Sequence, residues 1–209
     1  MSTGRAEAFS DGVFAVAITV LVFGLLPIGT GKLDARVLLQ AWPQYFAYVV
    51  SFLTIGIMWM NHHTILAHVT RVDRPLLVIN LLLLMGIVAI PFPTALVAEH
   101  LQHPGGKYAT VAYGLVMIAI SAGFAALWVY VATHAAALGA ALPPQALRSS
   151  IPGWTLGGVA YLAGTLIAGL VSAVAGMVIF GALGVYYLFE HLPSPAEGAP
   201  GSSAPEPGP

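Results

Sequence analysis

From Ile151 to Phe189 the chain runs without a single charged side chain. Crossing the roughly 30 Å hydrocarbon core of a bilayer takes about 20 mostly apolar residues in a helix. The stretch is too long for one crossing and long enough for two, at 152–171 and 173–190 with a tight turn near Ser172. Composition agrees. Charged residues make up 7% and apolar residues 58%, against about 25% charge in an ordinary soluble domain. So little charge cannot cover a water-facing surface, so much of the surface faces lipid.

Four more apolar segments precede this one, at about 8–28, 43–66, 75–98 and 109–133. Charged corners separate them: Lys32, Asp34 and Arg36; then Arg71, Asp73 and Arg74; then Glu99 followed by Gly105-Gly106. The stretch around Pro143, Pro144 and Arg148 reads as a loop. The expected fold is therefore an all-α integral membrane protein with six transmembrane helices. Residues 1–192 form the membrane domain. Residues 193–209 are Pro, Gly, Ser and Ala with two acids; they have no apolar face to bury and read as a disordered tail. The apolar run after Arg5 resembles a signal peptide, but Glu7 and Asp11 interrupt its approach, so it reads as a retained span. With the N-terminus inside, four basic residues (Arg5, Arg71, Arg74, Arg148) fall inside and three (Lys32, Arg36, Lys107) outside. This is a thin margin for the positive-inside rule, and it puts both termini on the cytoplasmic face of a cell membrane.

The function classes narrow by elimination. A net charge of −1 gives no reason to expect nucleic acid as a partner. With no cysteine there is no disulfide, thiolate metal site or thiol nucleophile. No HExxH, GxSxG, P-loop lysine motif or TVGYG-like filter is present, and no carboxylate lies deep in a span. The chain does not read as an enzyme and calls for no cofactor or metal.

Asp11 stands at the start of the first span beside Ser10. An acid at a membrane boundary is costly unless solvated, paired or lining a wet cavity, although it also favours a helix N-terminus. Arg5, Asp11 and Ser10 are spaced to close a polar knot there. Deeper in, Val16, Thr19, Val20 and Phe23 share one face at i, i+3, i+4, i+7 spacing. Periodicity alone leaves that face open between bundle core, lipid contact and pore lining. Gly12, Ala15 and Thr19 form a small-residue stripe suited to close packing. The second span ends in Trp59-Met-Asn61-His62-His63, with His68 beyond. Adjacent histidines diverge by about 100° on a helix, so metal binding is disfavoured against hydrogen bonding at the membrane edge, with Trp59 as an interfacial anchor. Asn80 is a lone amide in the third span and needs a partner.

The stretch Arg5-x-x-x-Phe9-Ser10-Asp11-Gly-Val-Phe-Ala resembles the signature of the prokaryotic relatives of the endolysosomal transmembrane potassium channel. Trp59-Met-Asn61-His62-His63, Arg71-x-Asp73, Asn80-Leu-Leu-Leu-Leu-Met and Pro91-Phe-Pro93-Thr extend the resemblance over about residues 5–99. It implies a six-helix subunit that assembles as a homotetramer, the first helix lining a central pore for monovalent cations, with K⁺ the expected permeant ion. Selectivity would come from aliphatic rings and a threonine rather than a carbonyl filter. Counted from the aspartate, these fall on Val16 and Thr19, with further layers at Val20 and Phe23. Arg5, Phe9, Ser10 and Asp11 would form a structural tie with Trp59, His62 or His63, and Asn80. Val16 is smaller than the isoleucine or leucine of the family and Phe23 is bulkier, so either ring is a candidate for the narrowest point. The alternative is a secondary transporter or proton-permeable pathway using Asp11 and the membrane-edge histidines. A membrane-embedded enzyme or metal-binding protein built on His62, His63 and His68 is a third.

Overall fold

A computed structural model describes residues 3–29 and 34–188. The expected tail at 193–209 and the last residues of the sixth expected span lie outside the described residues. The chain is built from helices. Helix α1 (Thr3–Val20) runs on into a 3₁₀ helix (Leu21–Gly29). A short α2 (Ala35–Gln40) leads into α3 (Trp42–Ala67). Helices α4 (Arg74–Ala89) and α5 (Pro91–His100) together make one crossing, followed by α6 (Gly106–Thr133). Short α7 (Ala135–Leu138) and α8 (Pro144–Ser149) precede α9 (Ile151–Leu170) and α10 (Ala173–Leu188). Among the described residues, five helical stretches are long and apolar enough to cross a membrane: Thr3–Leu26, Trp42–Ala67, Arg74–His100, Gly106–Thr133 and Gln145–Leu170. Helix α10 is apolar but shorter, at 16 residues. The chain is a multi-pass membrane protein.

Local chemistry explains the breaks. Asp34 caps α2, accepting from the Val37 amide at 2.8 Å. Asp73 caps α4 through the Leu76 amide at 3.0 Å and accepts from the Tyr130 hydroxyl at 2.7 Å. Partial burial raises the Asp73 carboxyl, but these hydrogen bonds outweigh it and hold the group below its ordinary value. Between α4 and α5, Pro91 has no amide to offer the Ile87 carbonyl, and the Ile90 amide takes it at 3.1 Å instead. The third crossing is thereby jointed rather than broken.

Two expectations need correction. The first span is not uniformly α-helical: from Leu21 it tightens to 3₁₀, where Gly24 and Pro27 both weaken the α-helix. The stretch around Pro143–Arg148 is not a plain loop. It carries α8, whose Leu147 is buried and whose carbonyl accepts from Trp128 Nε1 at 3.1 Å.

In lipid, helices gain nothing from hiding apolar surface from water, so close packing and hydrogen bonds hold them together. Small residues make the closest approaches. An added Cβ at Gly164 would meet Phe180 at 2.7 Å, and one at Gly114 would strike the Thr165 hydroxyl and the Phe180 ring. Helices α6, α9 and α10 therefore form one tight group, with Phe124, Trp154 and Trp128 stacked at 5.8 and 5.5 Å along its edge. Helices α1, α3, α4 and α5 form the other side. We call the end of the bundle that holds Thr3 the near end, and the end reached by the 3₁₀ helix the far end.

Candidate functional site

Helix α1 has two faces of opposite character. Ala6, Ser10, Phe14 and Ala17 are buried against α3 and α4. Arg5, Phe9, Val16, Thr19, Val20 and Phe23 are exposed, Val16 at 59% and Phe23 at 61%. The exposed face is thus apolar along most of its length. Thr19, its one hydroxyl in the span, donates back to the Val16 carbonyl at 2.9 Å, which leaves its oxygen lone pairs directed off the helix.

A polar chain pins the buried face. Ser10 donates to the Ala6 carbonyl at 2.8 Å. Asn80 of α4 donates through Nδ2 to Ser10 Oγ at 3.0 Å. His62 of α3 meets Asn80 Oδ1 at 2.7 Å through Nε2. Since Oδ1 can only accept, Nε2 carries the proton. The series then runs in one direction, from His62 to Asn80 to Ser10 to the Ala6 carbonyl. All three side chains are buried. The His62 ring also packs on Phe14 at 5.4 Å. Each such bond contributes about 0.6–1.5 kcal/mol, and leaving one partner alone in an apolar setting costs more than the bond gives.

A second contact ties the same end at the surface. Trp59 Nε1 donates to Asp11 Oδ1 at 2.8 Å, and His63 stacks on Trp59 at 6.3 Å, while the bond to Asn80 is made by His62. The structure thus brings Ser10, Asn80 and His62 into one chain and Asp11, Trp59 and His63 into an adjacent exposed group. The expected knot of Arg5 with Asp11 does not form. Arg5 is exposed, and among the described residues no carboxylate lies within 4.0 Å of an arginine or lysine nitrogen. Phe9 is exposed as well. The two remaining members of the motif point away from the subunit. Charge complementarity in sequence could not show that Asp11 would be claimed by an indole from another helix.

His68 does not join His62 and His63. It is buried, holds the Thr64 carbonyl at 2.6 Å through Nδ1 and sits edge-on to Trp128 at 5.6 Å. Among the described residues no three His, Cys, Asp or Glu side chains are grouped to hold a metal.

Sequence reading missed a set of buried hydroxyls on three helices. Ser51 Oγ lies 2.8 Å from Thr94 Oγ1 and 3.2 Å from Tyr113 Oη. Helical periodicity gives the face of each residue but not which faces of distant helices meet, so only the i, i+3 pair Ser51 and Thr54 carried a signal.

Comparison with known proteins identifies relatives of the chain. A family described as the endosomal/lysosomal potassium channel TMEM175 matches residues 5–91. A potassium channel of Streptomyces collinus is 42% identical over 205 residues, covering 94% of this chain and 97% of that protein. The crystal structure of a lysosomal potassium-selective channel TMEM175 homolog from Chamaesiphon minutus superimposes with a TM-score of 0.78 at 35% identity, covering 89% of this chain and 96% of that one. An endosomal/lysosomal proton channel TMEM175 of Gallus gallus is 30% identical over 145 residues, covering 64% of this chain but 29% of that protein. With a helical fold shared along its length and a relative matched nearly end to end, the chain belongs to the TMEM175 family of potassium channels.

Proposed function

We propose that this protein is a potassium-preferring cation channel in which four subunits, each of six spans, place α1 around a common axis. The observation that carries the reading is the exposed apolar face of α1, fixed in rotation by the Ser10–Asn80–His62 chain on its other side. Four copies of that face turn Val16, Thr19, Val20 and Phe23 into rings. Apolar rings close a pore by excluding water and open it when the ring widens enough to wet. No cofactor is needed; K⁺ is the cargo. The near end, with Asp11 and Trp59, would face the cytoplasm of a cell membrane, and the second helix of the last pair, α10, would be the sixth span. Arg5 and Phe9, exposed on the subunit and with no side-chain hydrogen bond or ion pair among the described residues, are placed to meet a neighbouring one.

Flux into liposomes under a potassium gradient, then a sodium gradient, tests this. Val16→Asn puts a polar group in the ring and should raise flux or flatten the potassium preference, and Phe23→Ala should widen the far mouth. If both variants match the wild type in both gradients, the pore does not run along this face. A second reading, a proton-permeable pathway through Asp11 and the histidines, is favoured by the name of the Gallus gallus relative. It requires that Asp11→Asn abolish proton flux while assembly survives.

A further inference from the structure

Asn61 belongs to the motif that ends the second span, yet it takes no part in the tie that holds α1. The same stretch of α3 offers His62 to α4 and Trp59 to α1, and turns Ile57, Met58 and Asn61 to a cavity of about 60 Å³ among α3, α6, α9 and α10. Ile120 and Phe124 of α6 and Trp154 of α9 complete its apolar floor. Ser121 of α6 joins Asn61 among the polar groups of its wall.

Two glycines keep this space open. A Cβ at Gly157 of α9 would meet the Tyr187 hydroxyl at 2.7 Å and the Ser121 hydroxyl at 3.1 Å. Gly184 of α10 lines the cavity too, and a Cβ there would stand 3.5 Å from Thr54 Oγ1 and 3.9 Å from Ile57 Cδ1, which is ordinary contact.

Asn61 and Ser121 are not served by the rest of the chain. Neither side chain makes a hydrogen bond among the described residues. A helical hydroxyl commonly bonds the carbonyl four residues back, as Thr165 does with Tyr161 at 2.7 Å; Ser121 leaves that bond unmade. Polar side chains inside a membrane need a partner, and lipid tails offer none. Water would answer only half of the site. It would serve the amide and the hydroxyl and leave Ile57, Ile120, Phe124 and Trp154 facing it. Volume narrows the occupant further. A water takes up about 30 Å³, and an apolar cavity of about 150 Å³ holds benzene. This space falls between the two and suits a few carbons carrying one hydroxyl.

We propose that the cavity is a binding site for a small amphiphile of the short-chain alcohol class. Its hydroxyl bonds at the wall that carries Asn61 and Ser121, and its carbon chain lies on Phe124 and Trp154. An apolar pocket with a few placed polar groups is the usual form of a small-molecule site. None of the lining residues belongs to α1, so the site stands apart from the exposed face of that helix.

The test uses the full chain in liposomes with 2-bromoethanol as the probe, because bromine quenches an indole that it touches. Trp154 lines the cavity, and Trp128 stacks on it at 5.5 Å. Wild type should show saturable quenching above the linear collisional background, with half-saturation on the order of 1 mM, in keeping with so small a ligand. Gly184→Ala puts a methyl group into the cavity and should weaken the saturable part about tenfold. Gly181→Ala is the matched control. Its Cβ would also stand 3.5 and 3.9 Å from its neighbour, Val50, but outside the cavity, and it should bind as wild type does. Asn61→Leu combined with Ser121→Ala should weaken 2-bromoethanol about tenfold and spare 1-bromopropane, the counterpart without the hydroxyl. Absence of saturable quenching in wild type overturns the site. So does quenching that survives Gly184→Ala undiminished, or equal loss in Gly184→Ala and Gly181→Ala. Loss of both probes in step in the double variant overturns the assignment of the hydroxyl to this wall.

Discussion

The two halves of the first span are both apolar in sequence and differ in how they are held. The near half sends Ser10 into a buried polar chain with Asn80 and His62 on two other helices, and adds the surface bond from Trp59 to Asp11. The far half has no polar side chain to offer. It leaves the α-helical spacing at Leu21, exposes Val22, Phe23 and Leu26, and lies beside a cavity of about 500 Å³. One helix thus has a fixed foot and a loosely packed mouth. Directional bonds set rotation at the foot. At the mouth only dispersion contacts act, and these tolerate sliding and turning. A helix held in this way keeps its register at the foot while its far side chains can adjust.

The largest effect that would break this comparison is expected for Asn80→Ala. It leaves the buried His62 donor without a partner, at about 1–3 kcal/mol, and takes from Ser10 the bond it accepts, leaving only its bond to Ala6. Thermal unfolding in detergent should show a clear drop in Tm, and an unchanged Tm would mean the foot is not held by this chain. Trp59→Phe removes one bond at an exposed site, so the expected loss is smaller, about 0.5–1.5 kcal/mol and toward the lower figure. A loss as large as that of Asn80→Ala would shift the anchor from the buried chain to the surface. Gly24→Ala probes the mouth. An added Cβ there meets no atom within 4 Å, so stability should hold or rise by about 0.5–1 kcal/mol, the difference between glycine and alanine in a helix. Marked destabilisation would show the mouth to be tightly packed in the assembly. The smallest effect concerns Asp73, which starts the helix carrying Asn80. Its carboxyl is held low in the folded state, so its stabilising contribution is complete above the ordinary value of 3.8 and fades as pH falls through the folded value. Solvent screening keeps it small. Asp73→Asn should therefore differ less from wild type in Tm at acidic pH than at neutral pH.

Particular residues show how far the sequence could be read. Asp11 was visible as an acid at a boundary and Asn80 as a lone amide in need of a partner, because both stand out in apolar surroundings. The partners were not visible. Ser10 and Asn80 are 70 residues apart, and Ser51 and Tyr113 are 62 apart. The choice of His62 over His63 turns on about 100° of helix rotation, which the adjacent pair leaves undecided until α3 packs on α4. The 3₁₀ stretch was hidden for a different reason. Its composition suits a span in either helical form, and Gly24 and Pro27 mark weakness without saying how the chain relieves it.

By itself the sequence determined that this is a multi-pass membrane protein and which of its windows are apolar. Transfer into lipid is close to a sum over a window of some twenty residues, and a window needs no knowledge of the rest of the chain. Only the tertiary structure decided which polar groups meet and which face of α1 is left uncovered. Hydrogen bonds are short and directional, so their pairing depends on the relative rotation and approach of helices that no local stretch of sequence contains. The first span is apolar because of its residues, and it has a fixed foot and an open face because of its neighbours.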